Sequence, residues 1–164
     1  MKTLRRHIND VVDLAWSPDE KYLVTGSFDN LSYVWNLKDG SALFELPSHS
    51  GYVQGVAWDP LNNFVATLCT DRYLRVFKLS ATGKKPQQIV KLNKFKLDAD
   101  DPNSKSSLMF YDDTLPAISR RMSFSPHGEL LACPSGIVEI EDENHGEDSV
   151  NCLHMFCRKD CFKK

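Results

Sequence analysis

The sequence is defined first by what it lacks. No stretch approaches the roughly 20 consecutive apolar residues that a membrane-spanning helix needs, and the opening residues have no apolar core of a secretory signal. No glycine-rich phosphate loop and no nucleophile and base at a useful spacing occur, so neither nucleotide-driven chemistry nor hydrolysis has a nominated centre and no enzyme is expected. Net charge is only -2 with 26% charged residues, which gives no global basic field for direct, sequence-specific nucleic-acid binding. The five cysteines, Cys69, Cys133, Cys152, Cys157 and Cys161, are an odd number without a framework spacing, as suits reduced thiols in the cytosol or nucleus. Cys152, His154, Cys157 and Cys161 are separated by one, two and three residues, which does not match the paired-ligand spacings of structural zinc sites. No metal and no cofactor is therefore expected. The basic end Arg158, Lys159, Lys163 and Lys164 reads as a solvated terminus.

What the sequence does have is a repeat. At an offset of 42 residues His7 recurs as His49, Val11 as Val53, Trp16 as Trp58, Pro18 as Pro60, Thr25 as Thr67 and Asp29 as Asp71, with Trp35 replaced by Phe77. A period near 40 with an early histidine, a turn aspartate and an aromatic in a closing strand marks a WD40 repeat, one four-stranded blade of a β-propeller. The fold expected is all-β, a propeller fragment of about three antiparallel blades. Propellers carry roughly four to eight blades, so the ring is expected to be incomplete and the chain to be a piece of a longer protein.

The repeats divide the chain. Residues 1–4 align with the end of the first repeat and read as the outer strand of a preceding blade; residues 7–46 form the first repeat and 49–80 the second. A third, 120–164, opens at Arg120-Arg121-Met122-Ser123-Phe124-Ser125-Pro126, with Pro126 66 residues after Pro60. The excess over the period reads as an inserted loop over 81–119, lysine-rich in its first half and acidic in its second. Phe156 lies 79 residues after Phe77, which places a further acidic insertion at 137–149. In a four-stranded meander both connections fall on one side, and insertions gathered on one face of a repeat array often mark its binding face.

Within the first repeat the WD40 pattern assigns one hydrogen-bonded chain, Asp29 to His7, His7 to Ser27, and Ser27 to the indole nitrogen of Trp35. A histidine both donates and accepts while an indole only donates, so such a chain needs a carboxylate at one end and Trp at the other. The second repeat keeps His49 and Asp71 but has Cys69 at the place of Ser27 and Phe77 at that of Trp35, so hydroxyl and terminal donor are both expected to be lost there.

Closer similarity lies in Tyr52-Val53-Gln54-Gly55-Val56-Ala57-Trp58-Asp59-Pro60, in Asp71-Arg72-Tyr73-Leu74-Arg75-Val76, and in Met109-Phe110-Tyr111-Asp112-Asp113 followed by Ser119-Arg120-Arg121-Met122. These resemble the family of WD40-bearing middle subunits of chromatin assembly factor 1. HIRA-type histone cochaperones are similar around Trp58-Asp59-Pro60. The resemblance implies a nuclear, non-enzymatic scaffold that helps deposit core histones on replicating or repaired DNA. Its implied partners are the large and small subunits of the complex, core histones, and a partner chaperone bound through a basic tail motif that this sequence does not contain. Under that reading Glu139, Glu141, Asp142, Glu143, Glu147 and Asp148 are candidates for gripping basic histone surfaces. Arg120 and Arg121 are candidates for an acidic partner subunit, or for a surface pair bridging to Asp112 or Asp113. A HIRA-type histone cochaperone, a generic WD40 adaptor and a propeller-borne hydrolase stay open as alternatives.

Overall fold

The turn Ser17-Pro18-Asp19-Glu20 shows how this sequence starts a blade. Proline presets one backbone angle, the Ser17 hydroxyl donates to Asp19 at 2.7 Å, and the Tyr22 amide donates to the Ser17 hydroxyl at 2.9 Å. Glu20 then closes the reversal with φ 58, in the left-handed region. Asn62 at φ 59 and Gly128 at φ 72 occupy the same place after Pro60 and Pro126. Three copies of one turn therefore stand where the three prolines predict them, each delivering two strands antiparallel.

The computed structural model describes residues 2–47, 49–80, 84–96, 104–142 and 146–162. The first sheet is a meander of β1 (Val11–Trp16), β2 (Tyr22–Ser27), β3 (Ser32–Asn36) and β4 (Ala42–Leu46). The second repeats it with β5 (Val53–Trp58), β6 (Phe64–Cys69), β7 (Leu74–Lys78) and β8 (Gln87–Leu92). A hairpin of β9 (Lys94–Lys96) and β10 (Ser106–Leu108) follows. The third sheet orders β11 (Ser123–Phe124), β12 (Leu130–Asp142) and β13 (Gly146–Cys157), and α1 (Arg158–Cys161) ends the described chain. The all-β, incomplete-propeller expectation holds.

Several boundaries move. The segment 81–119 is not one loop, because β8 within it is the outer strand of the second blade, in register with β7 from Leu74↔Leu92 to Lys78↔Gln87. The second blade thus runs past residue 80, and the insertion proper begins after Leu92 and contains the β9–β10 hairpin. The acidic segment 137–149 is likewise no separate loop: its described residues extend β12 and β13 into one long ladder reaching Asp142↔Gly146. Residues 2–7 form no strand. Leu4 instead packs beside Leu23, Tyr33 and Trp35, and Lys2 Nζ donates to the Leu37 carbonyl at 2.9 Å.

Two apolar layers hold the blades together. Val24, Val34 and Leu46 of the first blade meet Val53, Trp58, Val65 and Phe77 of the second. Ala66, Leu74 and Val76 on the second blade's other face meet Leu131, Cys133 and Phe156 of the third. At roughly 1.5–3 kcal/mol for each large side chain removed from water, these layers dominate the fold. The middle blade is flanked on both sides, and β5 and β6 are buried at every position. Backbones approach closely at two glycines: a Cβ on Gly26 would lie 2.6 Å from the Val53 carbonyl oxygen, and one on Gly55 2.2 Å from that of Arg120.

Candidate protein-docking face

In the first blade His7 Nδ1 lies 2.8 Å from Asp29 Oδ2, His7 Nε2 lies 2.7 Å from Thr25 Oγ1, and Trp35 Nε1 donates to Thr25 Oγ1 at 2.9 Å. Because the carboxylate only accepts, Nδ1 carries the proton, and Nε2 is left to accept from the threonine hydroxyl. The central hydroxyl is therefore Thr25, which corrects the expectation of Ser27. Ser27 serves the turn instead, where its hydroxyl donates to the Asn9 carbonyl at 3.3 Å and accepts the Asp29 amide at 3.1 Å. Burial pushes the Asp29 carboxyl up, but hydrogen bonds from His7 and the Ile8 and Leu31 amides outweigh it and hold the group below its ordinary value.

The second blade keeps part of this wiring. His49 Nε2 lies 2.8 Å from Thr67 Oγ1, so the hydroxyl relay survives, against the expectation that Cys69 removes it. The terminal donor is absent because Phe77 has none to give. Asp71 turns to Arg75, which donates from Nη1 to Oδ1 at 3.0 Å and from Nη2 to Oδ2 at 2.6 Å, and among the described residues it makes no hydrogen bond to His49. The side chains of this pair are 1% and 8% exposed. Burial pushes Asp71 up and the Arg75 guanidinium pulls it well below the usual carboxylate range. Burial, reinforced by the Arg75 charge, lowers His49 to about 4. Burial also pushes the Cys69 thiol up to about 12, so it is an inert buried group.

Charged residues also staple blade to blade. Asp13, 3% exposed, accepts the Val56 amide at 2.9 Å on Oδ2 and Arg121 Nε at 2.9 Å on Oδ1, joining β1, β5 and the segment that leads into β11. Fully buried Asp59 pairs with Arg158, whose Nε donates to the Gly128 carbonyl at 2.6 Å. Arg158, read from sequence as part of a solvated terminus, is thus a structural residue.

The two arginines expected to act together do different things. Arg120 is 1% exposed and donates to the carbonyls of Tyr111 and Asp112, so it does not present a cation to a partner and bridges to neither carboxylate. Arg121 keeps a side chain 69% exposed while holding Asp13. The Asp112 carboxylate pairs with Arg72 and accepts the Thr114 hydroxyl at 2.5 Å. The Thr114 hydrogen bonds, with the Arg72 charge behind them, hold Asp112 well below the usual range. Asp113 is exposed and lines a recess with Asn30, Ser50, Tyr52 and Asp71 between the first two blades.

The insertions meet at His154. Its Nε2 lies 2.8 Å from the Met109 carbonyl, and its ring sits between Phe95 of the hairpin at 5.5 Å and Phe110 at 5.4 Å. The Ile137 amide donates to the Met109 carbonyl and the Tyr111 amide to that of Ser135, at 2.9 and 3.1 Å. The insertion after Leu92 and the β12–β13 extension therefore form one continuous surface. Of the acidic candidates, Glu139, Glu141, Asp142, Glu147 and Asp148 lie on the extended ladder, where Glu141 is paired with Glu147 and Ile140 with Asp148. Glu143 lies outside the described residues. Among the described residues no three groups converge as a metal site.

The charged staples and the bonded insertions make this a braced platform. A model described as the CAF1B/HIR1 beta-propeller domain matches residues 1–164. The chain belongs to the CAF1B/HIR1 β-propeller family. It is 37% identical over 161 residues to the chromatin assembly factor 1 B-subunit of Gallus gallus, covering 96% of this chain and 26% of that protein. To the chromatin assembly factor 1 subunit FAS2 homolog of Oryza sativa subsp. japonica it is 36% identical over 169 residues, covering 97% and 32%. To the protein hir-1 of Neurospora crassa it is 35% identical over 136 residues, covering 83% and 13%. The chain spans about a quarter of the length of the Gallus gallus protein.

Among CAF1B/HIR1 propeller residues, sequence reasoning missed Thr25, Arg75, Asp13, Asp59 and Arg158. A signal existed for two of them. Thr25 recurs as Thr67 whereas Ser27 becomes Cys69, and Arg75 is a charge between the apolar Leu74 and Val76, in a strand buried from Leu74 to Phe77. For Asp13, Asp59 and Arg158 the partner sits on another blade, 43 to 108 residues away, and no local pattern reports it.

Proposed function

We propose that this chain forms part of a non-enzymatic scaffold subunit of a nuclear histone chaperone, acting in nucleosome assembly coupled to replication or repair. Core histones and the other subunits of the assembly complex dock on it. The observation that carries this reading is the joining of the two insertions into one surface, on a propeller whose relatives are named for chromatin assembly. Its polar residues are spent on bracing: Asp29, Asp71, Asp13 and Asp59 each face a histidine or arginine of the fold. Catalysis has no free acid and base to recruit in that set. The acidic stretch 139–148 instead supplies carboxylates at a density suited to lysine- and arginine-rich surfaces, in competition with DNA.

Neutralising Glu141, Asp142 and Glu143 to Gln, Asn and Gln in a full-length family member carrying this domain tests the reading. Histone binding measured at low salt is expected to weaken, and the difference to shrink as salt rises. Equal affinity of variant and parent at every salt concentration would reduce the acidic segment to decoration. Recovery of the full-length protein with none of the assembly subunits would favour an adaptor in an unrelated complex.

A further inference from the structure

The insertion after Leu92 is tied down at Asp112, and the residue beside that anchor is Asp113. Asp112 pairs with Arg72 and accepts the Thr114 amide at 3.0 Å. Arg72 lies on the turn between β6 and β7 at φ 66, in the left-handed region; its repeat equivalent 42 residues earlier is Asn30, at φ 67 on the turn between β2 and β3. In the second blade this corner grips the insertion through an ion pair. In the first blade the same corner lines a recess of about 300 Å³, together with Ser50, Tyr52, Thr70, Asp71 and Asp113. The recess lies between two four-stranded blades, and the insertion supplies its rim.

Acceptors line this recess, and no lysine or arginine does. Asn30 Oδ1 is buried without a hydrogen-bond partner among the described residues, and a buried acceptor in that condition is rare. The Ser50 hydroxyl donates to Asp71 Oδ2 at 3.1 Å, which leaves its own lone pairs open. Asp71 is balanced by Arg75, whereas Asp113 is exposed and, among the described residues, in no ion pair. Tyr52 is 44% exposed, with its ring set against that of Phe28 at 5.1 Å. A ring, a hydroxyl oxygen, an amide oxygen and a carboxylate around one recess match a compact ammonium with three donors on an apolar stem. A guanidinium instead seeks both oxygens of one carboxylate, and those of Asp71 are taken by Arg75.

We propose, on the function proposed above, that this recess takes a lysine side chain of a docked core histone. The ammonium sits among Asp113, the Ser50 hydroxyl and Asn30 Oδ1, and the stem lies along the Tyr52 ring. Arg72 and Asp112 do not touch the lysine; their ion pair positions Asp113 at the rim. The site is separate from the acidic ladder of β12 and β13, since none of that ladder's carboxylates lines it.

The test titrates a full-length family member carrying this domain with purified core histones at fixed salt. Asp113→Asn, at an exposed position that leaves folding intact, weakens binding about 5-fold. Tyr52→Leu weakens it about 3-fold or more. Asn30→Gly, which keeps the left-handed backbone and removes only the amide, weakens it about 5-fold. Glu20→Gln, the same charge change at an exposed residue on the Pro18 turn, leaves it unchanged. Core histones with acetylated lysines bind the parent and Asp113→Asn equally, because the ammonium is gone. A 5-fold difference that persists with acetylated histones overturns the proposal. So does Asp113→Asn binding unmodified histones as the parent does; if neutralising Glu141, Asp142 and Glu143 still weakens binding in that assay, the recess alone falls and the proposed function stands. A parent that binds no core histones overturns both.

Discussion

The first and second blades carry the same histidine, threonine and aspartate at an offset of 42, yet the two are wired differently. In the first, Tyr33 packs its ring 4.9 Å from that of His7, and the carboxylate of Asp29 is free to accept the hydrogen bond from His7 Nδ1. In the second the residue at the place of Tyr33 is Arg75, and it captures Asp71 in a two-pronged ion pair. Trp35 closes the first chain with an indole donor; Phe77 cannot. One polar chain built on neutral donors is thus replaced by a buried ion pair beside a neutral histidine. A repeat preserves positions more faithfully than it preserves interactions.

The largest effect that breaks this comparison is expected from Arg75→Met. It leaves Asp71 buried without its partner, which costs about 3–5 kcal/mol, measured by equilibrium denaturation. A loss below about 1 kcal/mol would mean that packing, not the ion pair, holds the second blade.

Next comes acidity. An unfolded His49 binds its proton near pH 6.5 while the folded one does so only near 4, so between these values the unfolded chain holds more protons. The stability carried by the neutral ring is complete above about pH 6.5 and is lost as pH falls toward 4, by about 3 kcal/mol in all. Below that window the depressed carboxylates Asp71, Asp29 and Asp112 add their own losses as they protonate. Denaturation midpoints across pH 4–7 check the first part, and His49→Gln is expected to flatten that slope.

Smaller is the cost of Thr25→Val, about 1–3 kcal/mol, because His7 and the Trp35 indole then face an apolar methyl group. Ser27→Ala is expected to cost about 1 kcal/mol or less, since it removes only turn hydrogen bonds of 3.1 and 3.3 Å. A reversed ranking by thermal or chemical denaturation would restore Ser27 as the relay.

The blades, their turns and the sides on which the insertions fall were legible because they are written in period, proline and histidine placement. The identity of the relay hydroxyl was not, since Thr25 and Ser27 are two residues apart on one strand and share a face. Only the repeat of Thr25 as Thr67 separates them. The outer strand β8 was hidden because Gln87 lies 45 residues after Ala42, past the place the period assigns. Arg120 read as a surface cation because adjacent arginines look alike in sequence; the close approach of its backbone to Gly55 buries one and leaves the other outside.

Double-mutant cycles centred on Asp71 test the central claim most directly, with Asp71→Asn combined with Arg75→Met in one cycle and with His49→Gln in the other. The buried ion pair predicts a coupling above about 1 kcal/mol for Asp71 with Arg75 and a clearly smaller one for Asp71 with His49. Strong coupling to His49 with little to Arg75 would show the second blade to be a copy of the first, and would contradict the account.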